Sequence, residues 1–188
     1  MKVYLQYPWK FPDSPYYKYL IQSPPERIEY LNVEKQKGVI TSKRFFWFSN
    51  FLKRNIRRVT NLFKLSIPNV HLSPKGNYDL IHCAHCLSKN EDKPWVADIE
   101  MKHSLAVLWN NSEIIKKRVG NYLKKDNCKK IMAWTQEMNN FLIDSFPEIK
   151  DKFEVVYPAV QTKKIVRKKS KGIVLIFSGR YFAFKICE

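Results

Sequence analysis

Short apolar runs recur along the whole chain, with stretches of helical character between them, and none of the runs exceeds five residues. This is the pattern of an α/β layer with a mostly parallel sheet. Val3 to Tyr7 is the first expected strand, followed by a Pro-rich, Tyr-rich loop from Pro8 to Pro25 with a short helical piece. A helix is expected over Ser42 to Lys64, then a strand around Asn69 to Leu72. Tyr78 to Leu87 and Trp95 to Glu100 read as buried parallel strands, each introduced by a turn signal, Pro74-Lys75-Gly76-Asn77 and Lys93-Pro94. Ser112 can cap a helix with the stripe Ile115, Val119, Tyr122 and Leu123. Lys129 to Trp134 is the next strand. Thr135 can cap the helix carrying Met138, Phe141 and Leu142, which Pro147 stops, and Phe153 to Tyr157 closes the set.

Apolar runs such as Leu105 to Trp109 and Ile173 to Phe177 fall far short of the ~20 residues that a membrane-spanning helix needs. The apolar start, Val3 to Leu5, is also shorter than the ~7–15-residue core of a secretory signal. A cytoplasmic chain is therefore expected. Its four cysteines are too few and too irregularly spaced for a secreted disulfide framework, so reduced thiols are the expectation. With 34 Lys and Arg against 17 Asp and Glu, the net charge of +17 calls for an anionic partner. Nucleic acid, acidic membrane and phosphorylated small molecules all satisfy that requirement.

Four segments in order carry a family likeness. They are Tyr78-Asp79-Leu80-Ile81-His82, Ile131-Met132-Ala133-Trp134-Thr135-Gln136-Glu137, Val155-Val156-Tyr157-Pro158-Ala159-Val160, and Ile176-Phe177-Ser178-Gly179-Arg180 with Lys185 following. Together they resemble the GT-B glycosyltransferases of the large retaining group called family 4, or group 1. The resemblance implies a Rossmann-like, mostly parallel sheet flanked by helices as the acceptor-side domain over 1–160, a basic linker over 161–172, and the start of a nucleotide-sugar-binding domain over 173–188. The chain would then be the acceptor-side half of a two-domain transferase, truncated early in the second domain. Two positions depart from the family pattern. The loop after the first strand, Pro8-Trp9-Lys10-Phe11-Pro12-Asp13-Ser14, lacks the usual paired glycines, and Ile186 stands where a glycine follows the family's lysine.

Ligands of open α/β sheets sit at the carboxyl ends of the strands, which places Tyr7, Glu100, His103 and Thr135 near one another. Asp98 and Glu100, two apart on a strand, share a face at about 6.5 Å, and carboxylates so placed can differ in proton affinity. One reading makes Glu100, with His103 beside it, the general base. The other has the two carboxylates capping the next helix or pairing with surface lysines. The strand-end rule makes Tyr7 and Thr135 acceptor-cleft residues, and the resemblance adds His82 to that cleft and puts Arg180 and Lys185 on the donor diphosphate. A guanidinium suits that last role by forming two parallel bonds to phosphate oxygens; a solvated basic terminus is the alternative. His82-Cys83-Ala84-His85-Cys86 contains a Cys-x-x-Cys, but residues three apart on a strand face opposite sides, so packing rather than metal binding is expected.

Lys43 to Lys64 carries seven cations and no acidic residue, with Phe45, Phe48, Leu52, Ile56, Val59 and Phe63 on one stripe. The stripe is expected to face the core. Trp47 and Phe51 with Arg54 and Arg58 would then form an edge against anionic lipid, where each cation is worth up to about 1 kcal/mol. The expected protein is thus a nucleotide-sugar-dependent glycosyltransferase acting on a lipid-linked or polysaccharide acceptor, peripherally bound at the inner face of the membrane. It would use no metal and no cofactor, the nucleotide-sugar being its substrate, and no nucleic acid. A basic nucleic-acid-binding protein and a catalytically inactive acceptor-binding module are the alternatives.

Overall fold

In the computed structural model, residues 1–6, 15–33, 51, 55, 66–107 and 109–158 are described. The elements in chain order are β1 (Lys2–Gln6), α1 (Pro15–Gln22), β2 (Glu29–Leu31), β3 (Ile67–Pro68), β4 (Val70–His71), β5 (Leu80–Ala84), β6 (Leu87–Ser88) and β7 (Trp95–Ile99). They continue with α2 (Lys102–Leu105), β8 (Ala106–Val107), α3 (Glu113–Leu123), β9 (Cys128–Ala133), α4 (Gln136–Ser145), a 3-10 turn (Pro147–Lys152) and β10 (Phe153–Val155).

Six strands form one parallel sheet in the order β10-β9-β7-β5-β1-β2. This is the α/β, Rossmann-like architecture that the alternation of apolar runs predicts. From β1 the chain steps outward to β2, then returns to the other side of β1 for β5 and continues through β7, β9 and β10. The direction of winding therefore reverses between β1 and β5, and it is at such a switch point that open α/β sheets form their ligand crevice. Two small sheets lie beside the main one, β3 antiparallel to β8 and β4 parallel to β6.

Both faces of the sheet are covered, which is why its strands are apolar runs with little polar alternation. On one face Ile81, Cys83, Trp95, Ala97, Ile99 and Ile131 pack against Ile115, Val119 and Leu123 of α3 and Met138 and Leu142 of α4. Full burial of an aliphatic side chain of this size stabilises by about 1.5–3 kcal/mol. On the other face Leu5, Ala84 and Trp134 pack with Tyr17 of α1. The predicted caps hold: Ser112 Oγ accepts from the Ile115 N–H at 3.4 Å, and Thr135 Oγ1 accepts from that of Met138 at 3.1 Å. Pro147 follows the end of α4.

Three differences from the sequence reading matter. The strand expected over Tyr78 to Leu87 stops at Ala84, because His85 adopts a left-handed backbone with φ 56° and diverts the chain before β6. As a consequence, Cys83 and Cys86 do not lie on opposite sides of one continuous strand. Both are buried, and their thiols are hydrogen-bonding neighbours. The strand expected over Asn69 to Leu72 is only the two-residue β4, and β2 was not anticipated. Of the helix expected over Ser42 to Lys64, Phe51 and Asn55 are described, both helical. The rest of that helix, the 161–172 linker and the strand expected over 173–177 lie outside the described residues.

Candidate active site at the carboxyl edge

The site is organised by Asp98, the fourth residue of β7, which sits on the α1 face of the sheet and is only 5% exposed. Parallel pairing sets Asp98 beside Ala84. His82, two residues back on β5, therefore shares its face, and His82 Nε2 lies 3.0 Å from Asp98 Oδ2. The left-handed turn at the next histidine completes the arrangement. The His85 N–H donates to Asp98 Oδ1 at 2.9 Å, and His85 Nδ1 stands 3.5 Å from the same oxygen. From above, the Tyr17 hydroxyl on α1 reaches both carboxylate oxygens at 2.7 Å.

Burial alone pushes the Asp98 carboxyl up. The hydrogen bond from His82, the fields of His82 and His85, and the Tyr17 hydrogen bond outweigh it and hold the group below its ordinary value. Asp98 is accordingly a buried carboxylate at neutral pH. Burial lowers His85, whereas Asp98 and Glu100 raise it and His103 and His82 lower it further; the net effect is downward, toward a neutral imidazole.

Glu100 lies just past the end of β7, with Oε2 3.9 Å from His85 Nε2 and its side chain a third exposed. The two carboxylates thus flank one imidazole, Asp98 from the interior and Glu100 from the solvent side. Neither caps the following helix, where Met101 occupies the N-cap position with no side-chain hydrogen bond. Among the described residues, the ion pairs of both carboxylates are with histidines, not with surface lysines. Trp134, immediately after β9, packs edge-on to His85 with centroids 4.7 Å apart, and Tyr16 packs edge-on to Trp134 at 4.7 Å. Tyr30 borders His82 at 6.5 Å. Below the crevice Gln6, paired with Cys83 across the switch point, accepts from the Ser73 hydroxyl at 2.6 Å and from the Cys83 thiol at 3.5 Å.

No protein-family model, curated protein or solved structure matches the chain. Function therefore has to be argued from the site itself.

The residues expected to form the site are brought together in part. His82 is in it, although buried and engaged with Asp98. Glu100 and the exposed His103 both act on His85, so they share its surroundings. Thr135 follows Trp134 at the rim and is exposed, with its hydroxyl engaged in capping α4. Tyr7, Trp47, Arg54, Arg58, Arg180 and Lys185 lie outside the described residues. Phe51 is described and is 52% exposed. Sequence reasoning missed Tyr17 and His85 as members of the site and weighed Asp98 only as a partner of Glu100.

Among the described residues no three His, Cys, Asp or Glu side chains are placed to hold a metal ion. None of the described helices is long and apolar enough to cross a membrane. A separate open depression of about 410 Å³ lies at the amino ends of β7 and β9, lined by Glu91, Asp92, Lys93, Pro94, Asp126, Asn127 and Lys129. Lacking histidine or any buried charged group, it offers less chemistry than the carboxyl edge.

Proposed function

We propose that this chain is the acceptor-side part of a GT-B-type glycosyltransferase, taking a sugar from a nucleotide-sugar donor to a hydroxyl of a lipid-linked or polysaccharide acceptor. The observation that carries the reading is the buried, ionised Asp98 with two histidines and Glu100 at the carboxyl edge, one strand from the switch point. An acceptor hydroxyl needs a hydrogen-bond acceptor and a proton sink where it attacks, and carboxylates with a neutral imidazole supply both. The order of the four family-like segments supports the same reading, and Arg180 with Lys185 are the residues proposed to meet the donor diphosphate.

The distribution of charge supports a role at an anionic surface. Between Glu34 and Leu65 nine Lys and Arg stand against one acidic residue, and from Ala159 to Glu188 eight stand against one. Across the described residues the signs are close to balance. The positive charge is thus concentrated in two stretches of chain and is not spread over the sheet domain. A peripheral position at the inner face of the membrane, with Trp47, Phe51, Arg54 and Arg58 toward lipid, is the proposed use of the first stretch.

The test is incubation of the full chain with a panel of radiolabelled nucleotide-hexoses and either polyprenyl-phosphate-linked saccharides or polysaccharide fragments. Label transferred to an acceptor when a donor-side domain is supplied is the expected result. Acceptor binding with no transfer and no donor hydrolysis would favour an inactive binding module. Tight, salt-sensitive binding to duplex DNA, with no preference for anionic over zwitterionic vesicles, would favour a nucleic-acid-binding protein.

A further inference from the structure

We propose that the exposed apolar patch formed by Ile67 of β3, Val107 of β8 and Ile114 of α3, with Lys117 and Arg118 beside it, docks this domain onto an anionic lipid surface. The inference rests on the membrane part of the reading above and names the surface of the folded domain that meets the bilayer.

The three residues are far apart in sequence, and strand pairing brings them together. Ile67 and Val107 lie directly opposite each other in the antiparallel ladder of β3 and β8, so their side chains stand on one face. They are 48% and 37% exposed. The helix α3 packs against β3. Its inward stripe, Ile115, Val119 and Leu123, is buried, whereas Ile114 is 67% exposed. Arg118, one turn beyond Ile114 on the same side of the helix, is exposed and donates from Nη1 to the Ser66 carbonyl at 3.4 Å, next to Ile67. The Ser66 hydroxyl donates in turn to the Val107 carbonyl at 3.3 Å. These bonds hold the α3 face and the β3–β8 ribbon as one surface.

Charge decides what the patch fits. Lys117 and Arg118 are exposed, and the acidic group next to Ile114, Glu113, is ion-paired to Lys116 at 2.8 Å. Ser66 is also where the chain arrives from the stretch Glu34 to Leu65, with its nine Lys and Arg against one acidic residue. The end of that cationic stretch is therefore fixed covalently at the border of the patch. Apolar side chains beside cations suit a layer of lipid phosphates over acyl chains. A protein partner fits less well, because a stable interface buries ~800 Å² on each side, more than three partly exposed aliphatic side chains offer. A second copy would set like charge against like charge.

The patch also adjoins the candidate site. Asn69, just after β3, donates from its backbone N–H to the Leu105 carbonyl at 2.9 Å, and from Nδ2 to the carbonyls of His85 and Ser104 at 2.8 and 3.2 Å. The ribbon is thus fastened to the carboxyl edge that carries His85. A bilayer docked on it lies alongside the acceptor site proposed above.

The test is co-sedimentation of the full chain with vesicles of equal parts phosphatidylglycerol and phosphatidylcholine, and with vesicles of phosphatidylcholine alone. The wild-type chain should prefer the anionic vesicles. Ile114→Gln should weaken that binding by about three- to thirty-fold, and the double variant Ile67→Thr, Val107→Thr by a similar factor. Lys117→Gln should weaken it by about five-fold at low salt. As salt is raised the deficit of Lys117→Gln should shrink and that of Ile114→Gln should not. Leu72→Gln is the control: Leu72 is 69% exposed beside the Ser73–Asn90 pair, toward the amino edge, and its replacement should leave binding unchanged. All these positions are exposed, and circular dichroism checks that each variant is folded. Patch variants that bind as the wild type does would overturn the docking surface while leaving membrane association by the cationic stretch intact. A wild-type chain with no preference for anionic vesicles would overturn both. Dimers in light scattering that Ile114→Gln dissolves, with vesicle binding unchanged, would make the patch a contact between copies and overturn the lipid assignment.

Discussion

Replacing Tyr17 with Phe isolates the Asp98 hub, because it deletes one hydroxyl and keeps the ring that packs with Leu5, Ala84 and Trp134. That hydroxyl reaches both oxygens of a buried carboxylate at 2.7 Å. A hydrogen bond to a charged group contributes about 1.5–3 kcal/mol, and no solvent replaces it at a site this enclosed. In a chain of this size each kcal/mol moves Tm by ~2–4 °C, so the variant should melt roughly 3–12 °C lower at pH 7. The pH dependence carries a second signature. The folded Asp98 titrates below its ordinary 3.8, so its stabilising contribution is full above 3.8 and is lost as pH falls through the lower folded value. Without Tyr17 the folded value rises toward 3.8, so acid unfolding begins at higher pH and the gap between the two proteins narrows in strong acid. Urea unfolding followed by tryptophan fluorescence at pH 7, together with acid titrations, reads both effects. A loss below about 0.5 kcal/mol at pH 7, or a gap that persists unchanged in acid, would refute a charged Asp98 held by Tyr17.

Two further outcomes follow from the geometry. Thr135→Ala should cost about 1 kcal/mol in urea unfolding, with Thr135→Ser restoring most of it, since the hydroxyl caps α4; an undiminished stability would mean that the cap is idle. Burial pushes the Cys128 thiol up to about 12 and raises that of Cys86, and Cys83 is buried as well. Peptide mapping after a brief pulse of iodoacetamide at pH 8 should find all three unmodified in the native protein and modified once urea unfolds it, whereas rapid native-state labelling would contradict the packing.

The sheet was legible because its strands are buried on both faces, and burial on both faces writes itself as short continuous apolar runs. The helix caps were legible for a local reason: Ser112 and Thr135 each act on a backbone N–H three residues away. The centre of the site was not. On an unbroken strand His82 and His85 would face opposite sides, and only the left-handed turn at His85 brings both to Asp98. No apolar or turn pattern in His82-Cys83-Ala84-His85-Cys86 announces that break. A signal did exist in the two histidines and a carboxylate on neighbouring strands, which a register argument could have paired. Tyr17 reaches Asp98 across eighty-one positions from a Pro-rich segment, and no local rule predicts such a contact. The same turn explains why the geometric argument about Cys83 and Cys86 failed while the expectation of packed thiols agrees with their burial.

We place ligand chemistry at the carboxyl edge of the sheet and not at the depression on its amino edge. Backbone amide and imidazole NMR of the isotope-labelled chain, titrated with a polysaccharide-fragment acceptor, tests that placement directly. Shifts should centre on His82, His85, Glu100 and Trp134. Shifts confined to Glu91, Lys93, Asn127 and Lys129 would contradict it.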